Sequence, residues 1–399
     1  MSGGASFRIE SLPLLLALAA NAAAQSFLLV VLPSLGRDLG FSPMETGLLL
    51  GLAALILLIA APIWGNVSER RGRRLVLLLG LVGATLGPAL MSGVIGLRLS
   101  GGLDSISTLA LLFTIRVGQS SLTGGLLPAA QAWMADRTPP GRRAEGMGLL
   151  GASYGIGGIA GAGIAFAAGG TAPVSALAAL SGGVALSLLF VWFNISDLSG
   201  KDRVHSPSAS MGSLLGRIWP CLIVTFLGVT VYGTMQHVTA LRLEDSFALS
   251  RAEAVSQAGA ALMIATIAMA ATQTFGLRLI KLAPAMLVLI GASAAVAAML
   301  GVALAANAFL LTVALVVMGA ALGLLLPGNL ALLSLIAGQA VQGRVAGVNA
   351  MAQGLGMTAG PIAGAILHRF SPLAAAFAAM AAMTLTVLIA SIAWRSEQS

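Results

Sequence analysis

The sequence predicts an all-α membrane protein: twelve transmembrane helices in two pseudo-symmetric six-helix bundles. Three observations predict it. First, the 399 residues are 58% hydrophobic and only 9% charged, whereas soluble domains are about a quarter charged. Second, twelve apolar runs reach the roughly 20 residues that a bilayer core requires. They lie near 12–34, 44–66, 75–97, 106–134, 146–168, 173–194, 217–240, 252–275, 282–305, 308–336, 346–368 and 372–394. Third, landmarks of the first half return in the second. Ser42-Pro43-Met44-Glu45 returns as Ser250-Arg251-Ala252-Glu253, and Gly124-Gly125-Leu126-Leu127-Pro128 as Gly323-Leu324-Leu325-Leu326-Pro327. Gly141-Arg142 returns as Gly343-Arg344, and Gly157-Gly158-Ile159-Ala160-Gly161-Ala162 as Gly360-Pro361-Ile362-Ala363-Gly364-Ala365. The offsets are 208, 199, 202 and 203 residues, about half the chain each time. The predicted division is an N-terminal half (1–194), a polar cytoplasmic linker (195–214) and a C-terminal half (215–399).

Composition also excludes. The lone Cys221 allows no intramolecular disulfide and no cysteine metal cluster. No Gly-x-x-x-x-Gly-Lys-Ser/Thr loop is present, so ATP is not the expected energy source. No metal-ligand spacing or nucleophile–base pattern suggests an enzyme, and no cofactor or metal is expected. The net charge of +8 would suit nucleic acid, but the bases cluster in loops on one side. Topology and anionic membrane lipid explain them better than nucleic acid does. With the amino terminus inside, predicted cytoplasmic segments hold fifteen of the 21 Lys and Arg. The outer loops hold Arg37, Arg98, Arg242, Arg251 and Arg369, which leaves Arg116 alone deep in a run. This bias predicts that both termini are cytoplasmic. The five tryptophans (Trp64, Trp133, Trp192, Trp219, Trp394) fall at predicted cytoplasmic helix ends, where an indole buries its ring and keeps its N–H near headgroups.

The first run begins like a signal peptide, with Arg8, apolar Leu12 to Ala20, and Ala22-Ala23-Ala24 before Gln25. It resumes at Phe27 to Leu32, and its removal would leave eleven spans and break the repeat, so retention is expected. Asn21 and Gln25, four residues apart, share a helix face. Two amides in lipid should face other helices or a wet cavity. Ser42-Pro43-Met44-Glu45 reads as a capping box opening the second run, which makes Glu45 structural. Between the second and third runs stands Gly65-Asn66-Val67-Ser68-Glu69-Arg70-Arg71-Gly72-Arg73-Arg74. Four arginines between two spans make a short cytoplasmic loop. Gly65 is expected to allow close backbone approach, Gly72 a tight turn.

The fourth run contains Arg116-Val117-Gly118-Gln119-Ser120. An arginine at that depth is costly unless it is paired or in water. The fifth run spaces Gly157 and Gly161 four apart, and the eleventh does the same with Gly360 and Gly364 around Pro361, so close helix packing is expected at both. In the seventh run Tyr232 and Gln236 share a face, and His237 can titrate near neutral pH, although its place near the outer end also suits a solvated imidazole. Asn329, Asn349 and Gln353 are further polar groups. With Asn21 and Gln25, they are expected to line a central cavity. All thirteen acids fall in loops or near helix ends.

Gly-x-x-Ser-Glu-Arg-x-Gly-Arg-Arg at 65–74 resembles the loop between helices 2 and 3 of the major facilitator superfamily, with Val67 where Leu is usual and Glu69 where Asp is commoner. Arg116 to Ser120 resembles the family's Arg-x-x-Gln-Gly motif, with Ser120 for Gly. The 157–162 stretch resembles the antiporter motif Gly-Pro-x-x-Gly-Gly, with Gly158 and Ala162 in place of Pro and Gly. Residues 276–281 are a degenerate echo of the first loop, without its acid. The resemblance implies an inner-membrane secondary transporter, a monomer, in which two halves rock about a midplane site. It implies that Asp136 meets the loop arginines as a conformational latch with Gly65, Glu69, Arg70, Gly72, Arg73 and Arg74, and that Arg116 takes part in proton coupling. Gln119, Asn21, Gln25, Tyr232, Gln236, His237, Asn329 and Gln353 are the further candidates for substrate or proton contact. The expected activity is proton-coupled export of a small amphiphilic drug or metabolite. A uniporter, or a carrier of an anionic metabolite held by Arg116, stays open because no span carries a deep carboxylate; a non-transporting sensor is the third reading.

Overall fold

Each apolar run becomes one or two helices in the computed structural model, which describes residues 2–137, 143–195, 211–276, 282–337 and 342–393. The first half holds α1 (Ser2–Asp38), α2 (Pro43–Arg71), α3 (Arg73–Leu99), α4 (Ser105–Thr123), α5 (Leu126–Arg137), α6 (Arg143–Ile164) and α7 (Pro173–Asn194). The second holds α8 (Met211–Phe247), α9 (Arg251–Ala271), α10 (Pro284–Leu304), α11 (Ala308–Ala337), α12 (Gln342–Phe370) and α13 (Ala374–Ala393). No strand occurs among the described residues. That is what lipid demands, since a helix satisfies its backbone polar groups within itself. Among the described residues, eleven helices are long and apolar enough to cross a membrane; the twelfth predicted span is the broken pair α4–α5.

The chain divides into two compact units, Met1–Arg203 and Val204–Ser399. Within the first, α1 packs on α6 and α7, α3 on α4 and α7, and α2 on α4. Within the second, α8 packs on α12 and α13, α10 on α11 and α13, and α9 on α11. With α4 and α5 counted as one span, the two pairing schemes match member for member, so the sequence repeat is also a packing repeat. Both capping boxes form: Glu45 Oε2 accepts from Ser42 N at 2.7 Å, and Glu253 Oε2 from Ser250 N at 3.0 Å. Most of the predicted linker (196–210) and the 277–281 echo lie outside the described residues, as do Gly141, Arg142 and Trp394. The second half begins its first helix at Met211.

The fourth predicted run is not one helix. It breaks at Gly124-Gly125, because other helices press on the bend. A Cβ on Gly124 would stand 2.6 Å from Ala60 Cβ, and one on Gly125 2.5 Å from Val76 Cγ1 and 2.6 Å from Trp64 Cβ. A helix break exposes a carbonyl that lipid cannot satisfy. Trp64 supplies the donor, its Nε1 reaching Ser121 O at 2.5 Å. Trp64 therefore spends its N–H inside the protein rather than on headgroups. Trp133, only 2% exposed, is likewise core, packed with Leu14, Leu18, Leu77 and Leu81. Trp192 and Trp219 remain half-exposed.

At the opposite end of the first half, Arg98 ties two turns together. Its Nε donates to Leu39 O (3.1 Å), Nη1 to Leu103 O (3.0 Å) and Nη2 to Ser105 Oγ (2.8 Å). Asp104 caps α4 by accepting from Ser107 N at 2.9 Å. That backbone bond, helped by the Ser107 hydroxyl, holds the Asp104 carboxyl below the usual carboxylate range. Arg98→Ala is expected to lower stability by about 2 kcal/mol, the scale of hydrogen bonds to a charged group. Arg98→Lys should recover little, because one ammonium cannot reproduce the fork. Thermal unfolding in detergent checks both.

Candidate functional site

Arg116 sits eleven residues into α4, about 17 Å along the helix at ~1.5 Å per residue, near the middle of a hydrocarbon core of about 30 Å. It is 5% exposed. Its Nη1 donates to Gln119 Oε1 at 2.9 Å and to Gln25 Oε1 of α1 at 3.2 Å. No carboxylate contacts it among the described residues. Gln119 (3% exposed) is held against α3, where a Cβ on Gly87 would lie 2.4 Å from its Cδ. Asn21 stands one turn before Gln25 on α1, 7% exposed. Arg116 Nε, Gln119 Nε2 and Asn21 Oδ1 have no hydrogen-bond partner among the described residues. Such groups are costly in a dry interior, so the cluster holds spare donors and a spare acceptor around one cation. The structure thus brings together Arg116, Gln119 and Gln25, which the sequence placed on two separate runs, with Asn21 one turn away on α1. Gly87, which makes room for Gln119, was missed; its spacing of four from Gly83 was the available signal.

The arginine loop lies at the far end of α2. Gly72, at φ +99°, makes the turn that L side chains rarely adopt. Arg73 Nε donates to Asp136 Oδ2 at 3.3 Å and its Nη1 to Ser68 Oγ at 3.2 Å. Arg74 Nη2 donates to Trp192 O at 2.8 Å, with its Cζ 5.5 Å from the Trp192 ring centroid. Arg70 is exposed, and the side chain of Glu69 lies outside the described residues. The expectation for Gly65 fails: a Cβ there would meet nothing within 4 Å, because the close approaches fall instead at Gly124 and Gly125. Asp136 is 45% exposed, so its pair with Arg73 is a surface ion pair worth about 0–1 kcal/mol. That strength suits a contact made and broken at little cost.

In the glycine helices the small residues do meet backbone. A Cβ on Gly157 would stand 2.2 Å from Ala19 O, and one on Gly161 2.2 Å from Ala23 O, both on α1. A Cβ on Gly360 would stand 2.9 Å from both Thr230 O and Gly233 Cα of α8, while one on Gly364 would lie 3.0 Å from Val238 Cγ1. Pro361 meets the same helix at Gly233. One hydroxyl crosses each contact: Ser26 Oγ donates to Gly158 O at 2.9 Å, Thr234 Oγ1 to Gly360 O at 3.0 Å.

The second-half candidates separate. Tyr232 Oη lies 3.2 Å from Thr266 Oγ1, half-buried on one face with Gln236. Gln353 is exposed. Asn329 does not line a cavity; it is fully buried, its Nδ2 donating to Cys221 O (2.8 Å) and Thr225 Oγ1 (2.9 Å). Thr225 in turn donates to Asn349 Oδ1 at 2.7 Å, so three helices share one buried network. His237 is fully buried rather than solvated, because α8 continues past 240 to Phe247. The same extension takes Arg242 out of the predicted outer loop and buries it to 3% exposure, with Nη2 3.3 Å from Ala303 O. Arg116 is therefore not the one buried arginine. Sequence reasoning also missed His368, whose Nε2 lies 2.7 Å from Asp245 Oδ2; its two members are 123 residues apart, with no local signal.

Two six-helix units with matched pairings, a buried polar cluster at mid-span and a tight arginine turn define a membrane carrier built by duplication. The family model of the Major Facilitator Superfamily matches residues 14–361, and the chain belongs to that superfamily of transporters. It is similar to the class B tetracycline resistance protein of Escherichia coli, 34% identical over 213 residues, which are 51% of this chain and 50% of that one. The match thus spans about half the length of that relative. It is 25% identical to the multidrug resistance protein MdtG of Proteus mirabilis (strain HI4320) over 385 residues, 94% of this chain and 92% of that one. Among solved structures, the D-xylose–proton symporter shares the fold at a TM-score of 0.77 and 14% identity, covering 97% of each chain.

Proposed function

We propose that this transporter exports a small amphiphilic molecule across the inner membrane by alternating access, with protons as the coupling ion, both termini cytoplasmic and the two halves joined by the 195–214 linker. The carrying observation is the mid-span cluster of Arg116, Gln119 and Gln25, with Asn21 one turn away: a cation with spare donors and, among the described residues, no carboxylate to neutralise it. Arg73 and Asp136 act as a latch at the cytoplasmic end. Similarity to tetracycline and multidrug resistance proteins supports efflux, and the arginine bias supports the orientation. The uncompensated Arg116 favours, as a second reading, a substrate that is anionic or bears an acceptor such as a carboxylate, because a bound acceptor would satisfy its free Nε.

The test is flux in proteoliposomes under an imposed pH gradient, with and without ionophore, across tetracycline and a panel of cationic, neutral and anionic compounds. Efflux that collapses with the gradient is expected. Flux indifferent to the gradient overturns proton coupling. Preference for anions selects the second reading.

A further inference from the structure

The amide of Gln119, on α4, is placed by a neighbouring helix. Its Oε1 accepts from Arg116 Nη1 at 2.9 Å, and its backbone carbonyl accepts from Thr123 Oγ1 at 2.9 Å. An amide that offers its oxygen to a guanidinium cannot flip, because the flip would set donor against donor. Nε2 is therefore turned away from Arg116, buried and with no hydrogen-bond partner among the described residues. The side chain fits there because α3 presents a glycine. A Cβ on Gly87 would stand 2.6 Å from Gln119 Cγ and 2.7 Å from Oε1, and closer still to Cδ.

We propose that Gly87 is a positioning residue of the transport site. It seats the Gln119 amide so that Oε1 holds Arg116 and Nε2 is the donor that meets an acceptor oxygen of the substrate. Gly87 touches no substrate itself and acts through Gln119. The substrate contact rests on the transport reading above; the seating of the amide does not.

Other reasons for a glycine at 87 do not apply. Helix packing is the task of Gly83, one turn earlier, where a Cβ would lie 2.6 Å from Leu122 Cβ and 3.4 Å from Gln119 O. Those atoms are fixed to the backbone of α4. At Gly87 the three nearest atoms all belong to one flexible side chain beyond its own Cβ, so an added methyl displaces the amide and not the helix. Nor does Pro88 require a glycine before it. A side chain before proline crowds the helical backbone, yet Leu12, Leu32, Ala61, Trp219 and Leu326 all precede prolines inside helices. The second half shows the contrast. Gly291 of α10 follows Gly87 by 204 residues, between the flanking repeat offsets of 208 and 199. A Cβ there would meet the backbone of α11, Leu325 N at 2.7 Å and Ala321 O at 2.8 Å. The offset of 199 maps Gln119 to Met318, a buried apolar residue. The duplicated glycine thus packs two helices in one half and seats an amide in the other.

Four variants test this: G87A, G83A, Q119A and the double variant G87A/Q119A. Tetracycline flux in proteoliposomes gives KM and maximal rate, and thermal unfolding gives stability. The side-chain amide signal of Gln119, in 15N-glutamine-labelled protein in nanodiscs and assigned by its loss in Q119A, reports the seating. G87A is expected to melt close to wild type, to shift the Gln119 signal and to raise KM about tenfold with little change in maximal rate, the scale of one hydrogen bond lost at a charged site. Q119A should raise KM alike, and the double variant no further, since the two positions act as one unit. G83A should lower the melting temperature and leave KM and the amide signal unchanged. An unmoved KM or amide signal in G87A, or effects of G87A and Q119A that multiply in the double variant, overturns the proposal. A G87A protein that does not fold makes Gly87 a packing residue and overturns it too. A wild-type protein that does not carry tetracycline sinks export of that drug, and the amide signal of G87A against G83A then decides the seating of Gln119.

Discussion

Arg116→Ala is expected to cut transport by at least about 30-fold, the ~2 kcal/mol lower end for truncating a buried hydrogen-bonded charge at a binding site. It should do so without loss of folded protein. A central arginine in a membrane helix costs about 3 kcal/mol on insertion scales, and Arg116 offsets that with two bonds to amide oxygens rather than with a carboxylate. Its removal leaves the Gln25 and Gln119 oxygens short of a donor, at about 1–3 kcal/mol. The two terms nearly cancel, so the melting temperature should stay close to wild type. Arg116→Lys is expected to behave like alanine in flux, because an ammonium cannot bridge both glutamines. Flux and thermal unfolding measured on the same preparation check this: normal flux in the alanine variant removes Arg116 from the mechanism, and a large loss of stability makes it a structural residue.

Gly161→Ala should destabilise the first half by roughly 1–3 kcal/mol, the usual cost of overpacking a filled interface, and Gly161→Val by more. The new Cβ would be 2.2 Å from the Ala23 carbonyl, and backbone cannot yield as a side-chain tip can. Gly157→Ala should match it, at the same distance from Ala19 O. Gly155→Ala and Gly158→Ala on the same helix meet nothing within 4 Å and should be neutral or slightly stabilising, since alanine is the better helix former. Folded yield and melting temperature of the four variants separate a packing glycine from a composition effect; equal behaviour of all four would overturn the assignment of this face.

The helical plan, the repeat and both capping boxes were legible because they are local or periodic: apolar length, spacing of four, and a Ser–x–x–Glu pattern need no partner to be read. Arg116 was legible as an anomaly of depth. Its neighbours were not, since α1, α3 and α4 are joined only by folding: the Gly83–Gly87 spacing signals a close contact but not that Gln119 fills it, and the bare Asn21 oxygen shows in no window of sequence. The end of α8 was misjudged for a similar reason. Residues 241–247 are polar enough to read as a loop, yet packing against α10 and α12 keeps them helical and buries Arg242. The fourth run looked continuous because two glycines are tolerated in a membrane helix; the break comes from Ala60, Trp64 and Val76 crowding the bend.

The sequence by itself determined the class of protein, the positions of the apolar runs and the duplicated plan, because burial in lipid imposes length, composition and internal hydrogen bonding on each helix separately. Only the tertiary structure decided which polar groups meet, because a side chain's partner depends on how helices far apart in the chain are packed. That is why Arg116 could be singled out from its own segment, while the Asp245–His368 pair emerged only when α8 and α12 were seen side by side.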